Sequence, residues 1–232
     1  MQLQDLFTNL AHGELNNLLS DGGAAGALPW DMQRKVTVFL NQGLTKLSAR
    51  FPLISKEVII EAQDDVYLYY LRKEYALTDP TVMDVKYLRD TEADPFTGDV
   101  VYIQQIFTEY GIELPLNDPE QPDSFFTPRF DCVQIPTPVT GAAYAVIYQA
   151  RHPKIDFEDL GAEILVPDSL QIALNSWICF QIFNGMNGPE HKSNAAGHLA
   201  AYENTCLEVE ATDQLRSSQI LSGQRFSMRG FR

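Results

Sequence analysis

The sequence predicts an α+β fold: a helical bundle formed by both chain ends, with an inserted β lobe and an extended C-terminal arm. Apolar residues recur at the helical period near both ends of the chain, whereas strand-like runs dominate the middle. The final residues follow neither pattern and contain two glycines. These observations place the bundle in residues 1–50 and 156–215, the β lobe in residues 51–155, and the arm in residues 216–232.

The N-terminal region predicts two helices separated by a glycine-rich break. Leucines and Phe7 recur near the helical period across residues 2–20. Residues 21–27 resemble a phosphate-binding loop only in glycine content, because no Gly-Lys-Ser/Thr follows and no strand precedes them. The second helix is expected to run from near Pro29 to about Arg50. Its predicted buried stripe is Val36, Phe39, Leu40, Leu44 and Leu47.

The middle of the chain predicts strands. Residues 57–62 and 66–71 are rich in β-branched and aromatic side chains, and a polar turn at Asp64 and Asp65 joins them. These two carboxylates are interpreted as turn residues, with a catalytic role as the less common alternative. Residues 114–123 are rich in proline and acid and predict a loop. The other expected strands are 85–89, 100–107, and a pair at 129–135 and 142–151.

The last helix pair is the most informative part of the chain. The first helix is expected from about Pro167 to Met186, and its largely apolar surface indicates a central position with Trp177 as a core anchor. A tight turn, Asn187-Gly188-Pro189-Glu190, leads into a second helix that is expected to end near Leu215. The predicted buried residues of this second helix are Leu199, Tyr202, Cys206 and Val209.

The formal charge is distributed unevenly along the chain. Thirteen of the 17 basic residues and all 31 acidic residues precede residue 214, so this part carries a formal charge of −18 and the remaining segment carries +4. The acidic body argues against a surface that grips DNA, which needs clustered Lys and Arg. The basic end predicts an arm that docks on another acidic surface, such as that of a neighbouring copy of the chain. Its expected contact residues are Arg216, Leu221, Arg225, Phe226, Met228, Arg229, Phe231 and Arg232.

Composition also limits the class of protein. The three cysteines are an odd number, and two lie in predicted helices, which favours a reducing compartment over a disulfide framework. The N-terminus lacks the pattern of a signal peptide. The most apolar stretch, residues 170–183, is shorter than the roughly 20 residues of a membrane span, so no membrane partner is expected.

No catalytic, metal or cofactor site is predicted. His191 and His198 share a helix face at a spacing of two turns, roughly 10 Å, which is too long for one zinc ion. They are interpreted as solvated helix residues. Cys206 is interpreted as a core residue rather than a nucleophile. The aromatic residues of the middle region lack interleaved basic residues, so core or subunit-interface packing is favoured over stacking on nucleic acid.

The last helix pair and arm resemble the head-to-tail adaptors of short-tailed bacteriophages, of the tail tubular protein A type. The residues that carry the resemblance are 168–183 with Trp177, the turn at 187–190, the helix from Ala195 to Leu215, and the tail to Arg232. The resemblance is architectural over residues 30–75 and weak over residues 80–150.

The resemblance implies a virion neck protein, assembled in the host cytoplasm as a dodecameric ring. Such a ring joins the portal protein to the tail tube or nozzle protein, and double-stranded DNA passes through its channel without specific binding. The family has no catalytic residues. Three alternatives remain open: another phage neck or tail component, an acidic hydrolase whose site uses dispersed carboxylates, and a regulatory binding protein.

Overall fold

The computed structural model describes residues 1–19, 27–81, 83 and 85–212. Over these residues the protein is a mixed helix-and-sheet protein of the α+β type. The described chain divides into two compact units. Residues 1–53 and 152–212 form a helical unit, and residues 54–151 form a β unit.

The helical unit draws its helices from both ends of the chain. The expectation of one helix over residues 2–20 is wrong, because Gly13 ends the first helix and the chain turns before a second short one. A Cβ atom at Gly13 would lie 2.9 Å from the carbonyl oxygen of Asn9, so this position suits glycine. The helices are α1 (Leu3–His12), α2 (Asn16–Leu19), α3 (Trp30–Arg50), α4 (Asp168–Asn184) and α5 (Pro189–Ala211).

The turn between α4 and α5 depends on glycine and proline. Gly188 has a φ of 116°, a conformation that only glycine adopts without strain, and Pro189 follows as the first residue of α5. Helix α5 ends at Ala211, earlier than the predicted end near Leu215. Thr212 closes it, because its backbone N–H and its hydroxyl both donate to the carbonyl of Glu208.

One apolar core joins α1, α3, α4 and α5. Helix α4 contributes more of its buried residues than any other helix and packs against both α3 and α5. Nine of its 17 residues are buried, which fits its largely apolar sequence. The buried residues of α4 are Leu170, Ala173, Leu174, Ser176, Trp177, Ile178, Cys179, Ile182 and Phe183.

The β unit contains two antiparallel sheets. The larger has the strand order β3-β1-β8-β4-β5, and the smaller has the order β2-β7-β6. The long strands β1, β4 and β8 lie at the centre of the larger sheet. The strands are β1 (Ser55–Glu61), β2 (Leu68–Tyr70), β3 (Leu88–Arg89), β4 (Val100–Thr108), β5 (Glu113–Leu114), β6 (Phe126–Arg129), β7 (Cys132–Gln134) and β8 (Ala143–Ala150).

Neighbouring strands along the chain do not always pair. The two strands around Asp64 and Asp65 were expected to be joined at a polar turn; the turn is present, but β1 and β2 belong to different sheets. The expected pair over 129–135 and 142–151 is likewise divided, since β7 pairs with β2 and β6 while β8 pairs with β1 and β4. Turn residues mark where a strand ends but do not select its partner, which is set by packing of the faces.

The core of the β unit lies between the two sheets. It combines aliphatic residues of the larger sheet with aromatic residues of the smaller sheet and its loops. Its fully buried members include Ile60, Tyr69, Leu71, Leu88, Ile106, Val133, Ile135, Val146 and Ala150.

Candidate functional site

The eight residues predicted to contact a partner lie outside the described residues. They are Arg216, Leu221, Arg225, Phe226, Met228, Arg229, Phe231 and Arg232, and the description of the chain ends at residue 212. Their role therefore stays a prediction. The region that leads into this segment is the α4–α5 pair, and its geometry is described below.

Trp177 lies at the contact of three helices. Its side chain is 8% exposed, and its ring lies 5.5 Å from that of Tyr202 on α5. The ammonium group of Lys46 on α3 lies 4.3 Å from the Trp177 ring centroid, within the range of a cation–π contact. Gly43, one turn earlier on α3, leaves the space for the indole, because a Cβ there would lie 2.7 Å from Trp177 Cδ1. Trp177 thus holds the helices of both chain ends together.

A charged cluster joins the end of α3 to the end of α5. Arg50 donates from Nε and Nη2 to the two carboxylate oxygens of Glu210, at 2.6 and 3.0 Å, and from Nη1 to Glu203 at 2.8 Å. These hydrogen bonds raise the pKa of Arg50 and lower that of Glu210. Bidentate pairing of this kind fixes orientation as well as distance. Sequence reasoning missed this cluster, because 160 residues separate its two main members.

The two histidines of α5 both stack on Phe183 of α4. The His198 ring lies 5.4 Å from the Phe183 ring at an interplanar angle of 9°, and the His191 ring lies 6.1 Å away at 23°. His198 also lies 3.7 Å from the carboxylate of Glu14 and is only 17% exposed, so the expectation of a solvated side chain is wrong for it. The aromatic contact is the physical reason, and both rings strengthen the α4–α5 packing.

His152 has a structural role at the start of the second helical segment. Its Nδ1 lies 2.7 Å from the carbonyl oxygen of Pro153, and its Nε2 accepts the backbone N–H of Leu165 at 2.9 Å. An imidazole that donates from one nitrogen and accepts at the other must be neutral. Burial lowers the pKa of His152 in the same direction.

The cysteines and the turn aspartates occupy structural positions. Cys132, Cys179 and Cys206 are free thiols and are buried. Burial raises the pKa of Cys132 to about 11 and that of Cys179 to about 12, so neither is a thiolate near neutral pH. Asp64 accepts a hydrogen bond from the Thr140 hydroxyl, and Asp65 has the positive φ of a turn residue. Among the described residues there is no group of three or more potential metal ligands.

The aromatic residues of the β unit mostly fill its interior. Tyr87 stacks on Tyr75 at 4.8 Å and meets Tyr69 edge-to-face at 4.9 Å. The Tyr87 hydroxyl accepts the backbone N–H of Tyr70 at 2.7 Å and lies 3.2 Å from the Tyr70 carbonyl oxygen. Burial raises the pKa of Tyr87. This cluster therefore packs the core, while the exposed aromatic side chains are Tyr67, Tyr102, Tyr110 and Phe130.

No helix in the described part of the chain has the length and hydrophobicity needed to cross a membrane. Comparison with family models gave no match. Comparison with curated proteins also gave no match.

Proposed function

We propose that the chain is a structural virion protein, a head-to-tail adaptor that assembles as a ring, joins the portal to the tail and lines the DNA channel. The observation that carries the proposal is the organisation of the chain. Helices from both ends share one core around Trp177, and a β unit of residues 54–151 is inserted between them. A helical bundle with an inserted β lobe is the arrangement that the resemblance implies.

Helix α5 supports the proposal through its charge. It contains four glutamates and one lysine, and Glu190, Glu208 and Glu210 are exposed. An acidic wall repels the DNA phosphates, so DNA can slide past it without being held. The basic segment after residue 213 has the opposite charge, and we assign to it the attachment to the portal or to a neighbouring subunit.

The rival hydrolase function requires free carboxylates that converge on one point. The buried carboxylates of the described chain are instead engaged in structural contacts. Asp131 accepts a hydrogen bond from Arg72 at 2.9 Å, and Asp79 accepts one from the backbone N–H of Thr81 at 2.8 Å. A hydrolase activity that one Asp, Glu or His substitution abolishes while the fold stays intact would establish the rival function.

Assembly with a portal protein tests the proposal directly. Purified protein should form rings visible by electron microscopy, and it should co-migrate with the portal as one large complex. Deletion of residues 217–232 should leave the melting temperature nearly unchanged and abolish the complex. A truncated protein that binds the portal as tightly as the wild type would contradict the assigned role of the segment.

A matched pair of variants separates charge from chain length. Arg225→Ser with Arg229→Ser should weaken portal binding by about tenfold or more, since arginines in interface centres contribute strongly. Ser217→Ala with Ser218→Ala keeps both arginines and should bind as the wild type does. Equal affinities for the two double variants would exclude an arginine-based attachment.

A further inference from the structure

A loop that ends just before α4 is attached to two other helices of the helical unit. The loop, here called the strap, consists of residues 152–166. It is fixed to α3 through Asn41, whose side chain exchanges two hydrogen bonds of 2.9 Å with the backbone of Ile155. It is fixed to α1 through the backbone of its last third. All of these contacts lie within the helical unit.

The strap caps the first turn of α1. The first N–H groups of an α-helix have no partner within the helix. The N–H of Leu3 donates instead to the carbonyl of Ala162 at 3.0 Å. The N–H of Gln4 donates to the carbonyl of Leu160 at 3.1 Å. The first turn of α1 therefore depends on the position of residues 160–164.

His152 closes the base of the strap. Its Nε2 accepts the backbone N–H of Leu165 at 2.9 Å, so one imidazole joins the two ends of the strap. Leu165 directly follows Ile164, whose N–H donates to the carbonyl of Met1 at 2.8 Å. The bond to His152 thus adjoins the pairing that holds the start of α1.

Protonation of His152 reverses the role of Nε2. Nδ1 lies 2.7 Å from the carbonyl oxygen of Pro153 and keeps its hydrogen there, so an added proton must go to Nε2. Nε2 then carries a hydrogen that points at the N–H of Leu165, and the hydrogen bond is replaced by a contact between two donors. The closed strap therefore fits the neutral imidazole, and opening of the strap favours the cation.

The proton affinity of His152 is set by its local contacts. Burial lowers the pKa of His152, and the carbonyl of Pro153 acts in the opposite direction. Among the described residues no charged side chain is paired with the imidazole. The charged residues of the strap, of the adjoining chain, and of the first turns of α1 and α4 are Asp5, Arg151, Lys154, Asp156, Glu158, Asp159, Glu163 and Asp168.

We propose that His152 is a pH-operated clasp on the strap: protonation in mild acid breaks the bond to Leu165, loosens residues 160–166 and uncaps the first turn of α1. The rest of the helical unit stays folded, because α3, α4 and α5 keep their shared core. The inference concerns the helical unit alone and goes beyond the adaptor function, on which it does not depend.

Backbone hydrogen exchange in the full-length chain tests the clasp. Protection factors, which correct for the intrinsic pH dependence of exchange, are compared at pH 7 and pH 5 for the amides of Leu3, Gln4 and Leu165. They should fall by about fivefold in acid, the effect of losing one hydrogen bond. The amide of Ile178 in the middle of α4 is the internal control and should keep its protection. Unchanged protection at the three amides would overturn the proposal.

Two variants separate titration from packing. His152→Gln carries an amide oxygen that can accept a hydrogen bond but cannot be protonated, so its protection factors at the two pH values should agree. Asn41→Ala removes the attachment to α3 without changing a titratable group, so it should lower protection at both pH values and keep the wild-type ratio. A ratio in His152→Gln equal to that of the wild type would contradict the clasp, whatever the absolute protection of the variant.

Nuclear magnetic resonance titration of the wild type needs no variant. The imidazole of His152 and the amide of Leu165 should titrate together, with one midpoint below the ordinary pKa of about 6.5. A Leu165 amide whose chemical shift does not follow the titration of His152 would exclude the bond between them as the pH-sensitive element.

Discussion

The helical unit and the β unit differ in the kind of polar side chain that they bury. In the helical unit the buried polar residues of the described chain are Thr37, Ser48 and Ser176. In the β unit two aspartates, Asp79 and Asp131, are buried. The first unit therefore depends mainly on apolar volume, whereas the second also depends on individual hydrogen bonds.

Short strands explain the difference. Strands β2 and β7 have three residues each and β3 and β5 have two, so the ladders pair only part of the backbone of the β unit. Backbone groups of loops and turns supply many of the remaining partners, and side chains supply others. Besides Tyr87, the Tyr69 hydroxyl accepts the backbone N–H of Gln63 at 3.0 Å, and the carboxylate of Asp90 accepts the backbone N–H groups of Thr78 and Phe96 at 3.0 Å. A sheet built from such short strands needs polar side chains inside it.

Removing apolar volume from the helical unit should have the largest effect. Trp177→Ala leaves a cavity between α3, α4 and α5 and should lower the free energy of unfolding by about 3–5 kcal/mol. Trp30→Ala is the matched control, because that side chain is 57% exposed, and it should cost less than about 1 kcal/mol. Chemical denaturation followed by far-ultraviolet circular dichroism measures both. Similar losses in the two variants would show that the contact at Trp177 does not stabilise the unit.

Removing one hydroxyl from the β unit should have the next largest effect. Tyr87→Phe keeps the stacked ring but leaves the N–H of Tyr70 without its acceptor, which should cost about 1–3 kcal/mol. Tyr110→Phe removes a hydroxyl from a side chain that is 74% exposed and should change stability by less than about 0.5 kcal/mol.

The tryptophans allow the two units to be followed separately. Both Trp30 and Trp177 lie in the helical unit. Tryptophan fluorescence should therefore give an unchanged transition in Tyr87→Phe, while near-ultraviolet circular dichroism of the tyrosines shifts. A fluorescence transition that shifts equally would mean that the two units unfold together, and the comparison between them would lose its meaning.

Protonation of His152 at low pH is expected to have the smallest effect on stability. Its pKa is lowered in the folded state, so the unfolded chain binds the proton more readily. Stability should be complete above the ordinary pKa of about 6.5 and should decline as the pH falls below it. His152→Gln should reduce the decline between pH 7 and pH 5, and His12→Gln, at an exposed position on α1, should not. Urea midpoints at the two pH values provide the measurement, and an identical decline in all three proteins would exclude His152 as its source.

Local patterns predicted the helices better than the sheets. Buried residues recur every three or four positions along α3 and α4, so the sequence of each helix by itself indicates which residues are buried. The pairing of β1 with β8 joins Ser55 to Gln149 and Glu61 to Ala143. No local signal selects partners over such distances, which is why the pattern of residues 57–71 marked two strands but not their separation into two sheets.

The contacts at the candidate site were less predictable than the fold. The hydrogen bonds from Arg50 to Glu210 and the approach of His198 to Glu14 bring together residues that become neighbours only after the chain ends meet. The role of the C-terminal arginines stays a prediction from composition alone, since four of them follow residue 213 with no acid among them. Composition can indicate that a segment binds an acidic surface, but it cannot identify that surface.

The separation of the helical unit into two stretches of chain has a consequence for biosynthesis. The first 53 residues contain α1 and α3 but share their core with α4 and α5, which begin at residue 168. On a ribosome adding roughly 5–20 residues per second, the N-terminal helices must wait about 6–25 s for their partners, while the contiguous β unit is complete earlier. We therefore expect the inserted unit to fold first, with the apolar side of α3 exposed to chaperones until the last helices emerge.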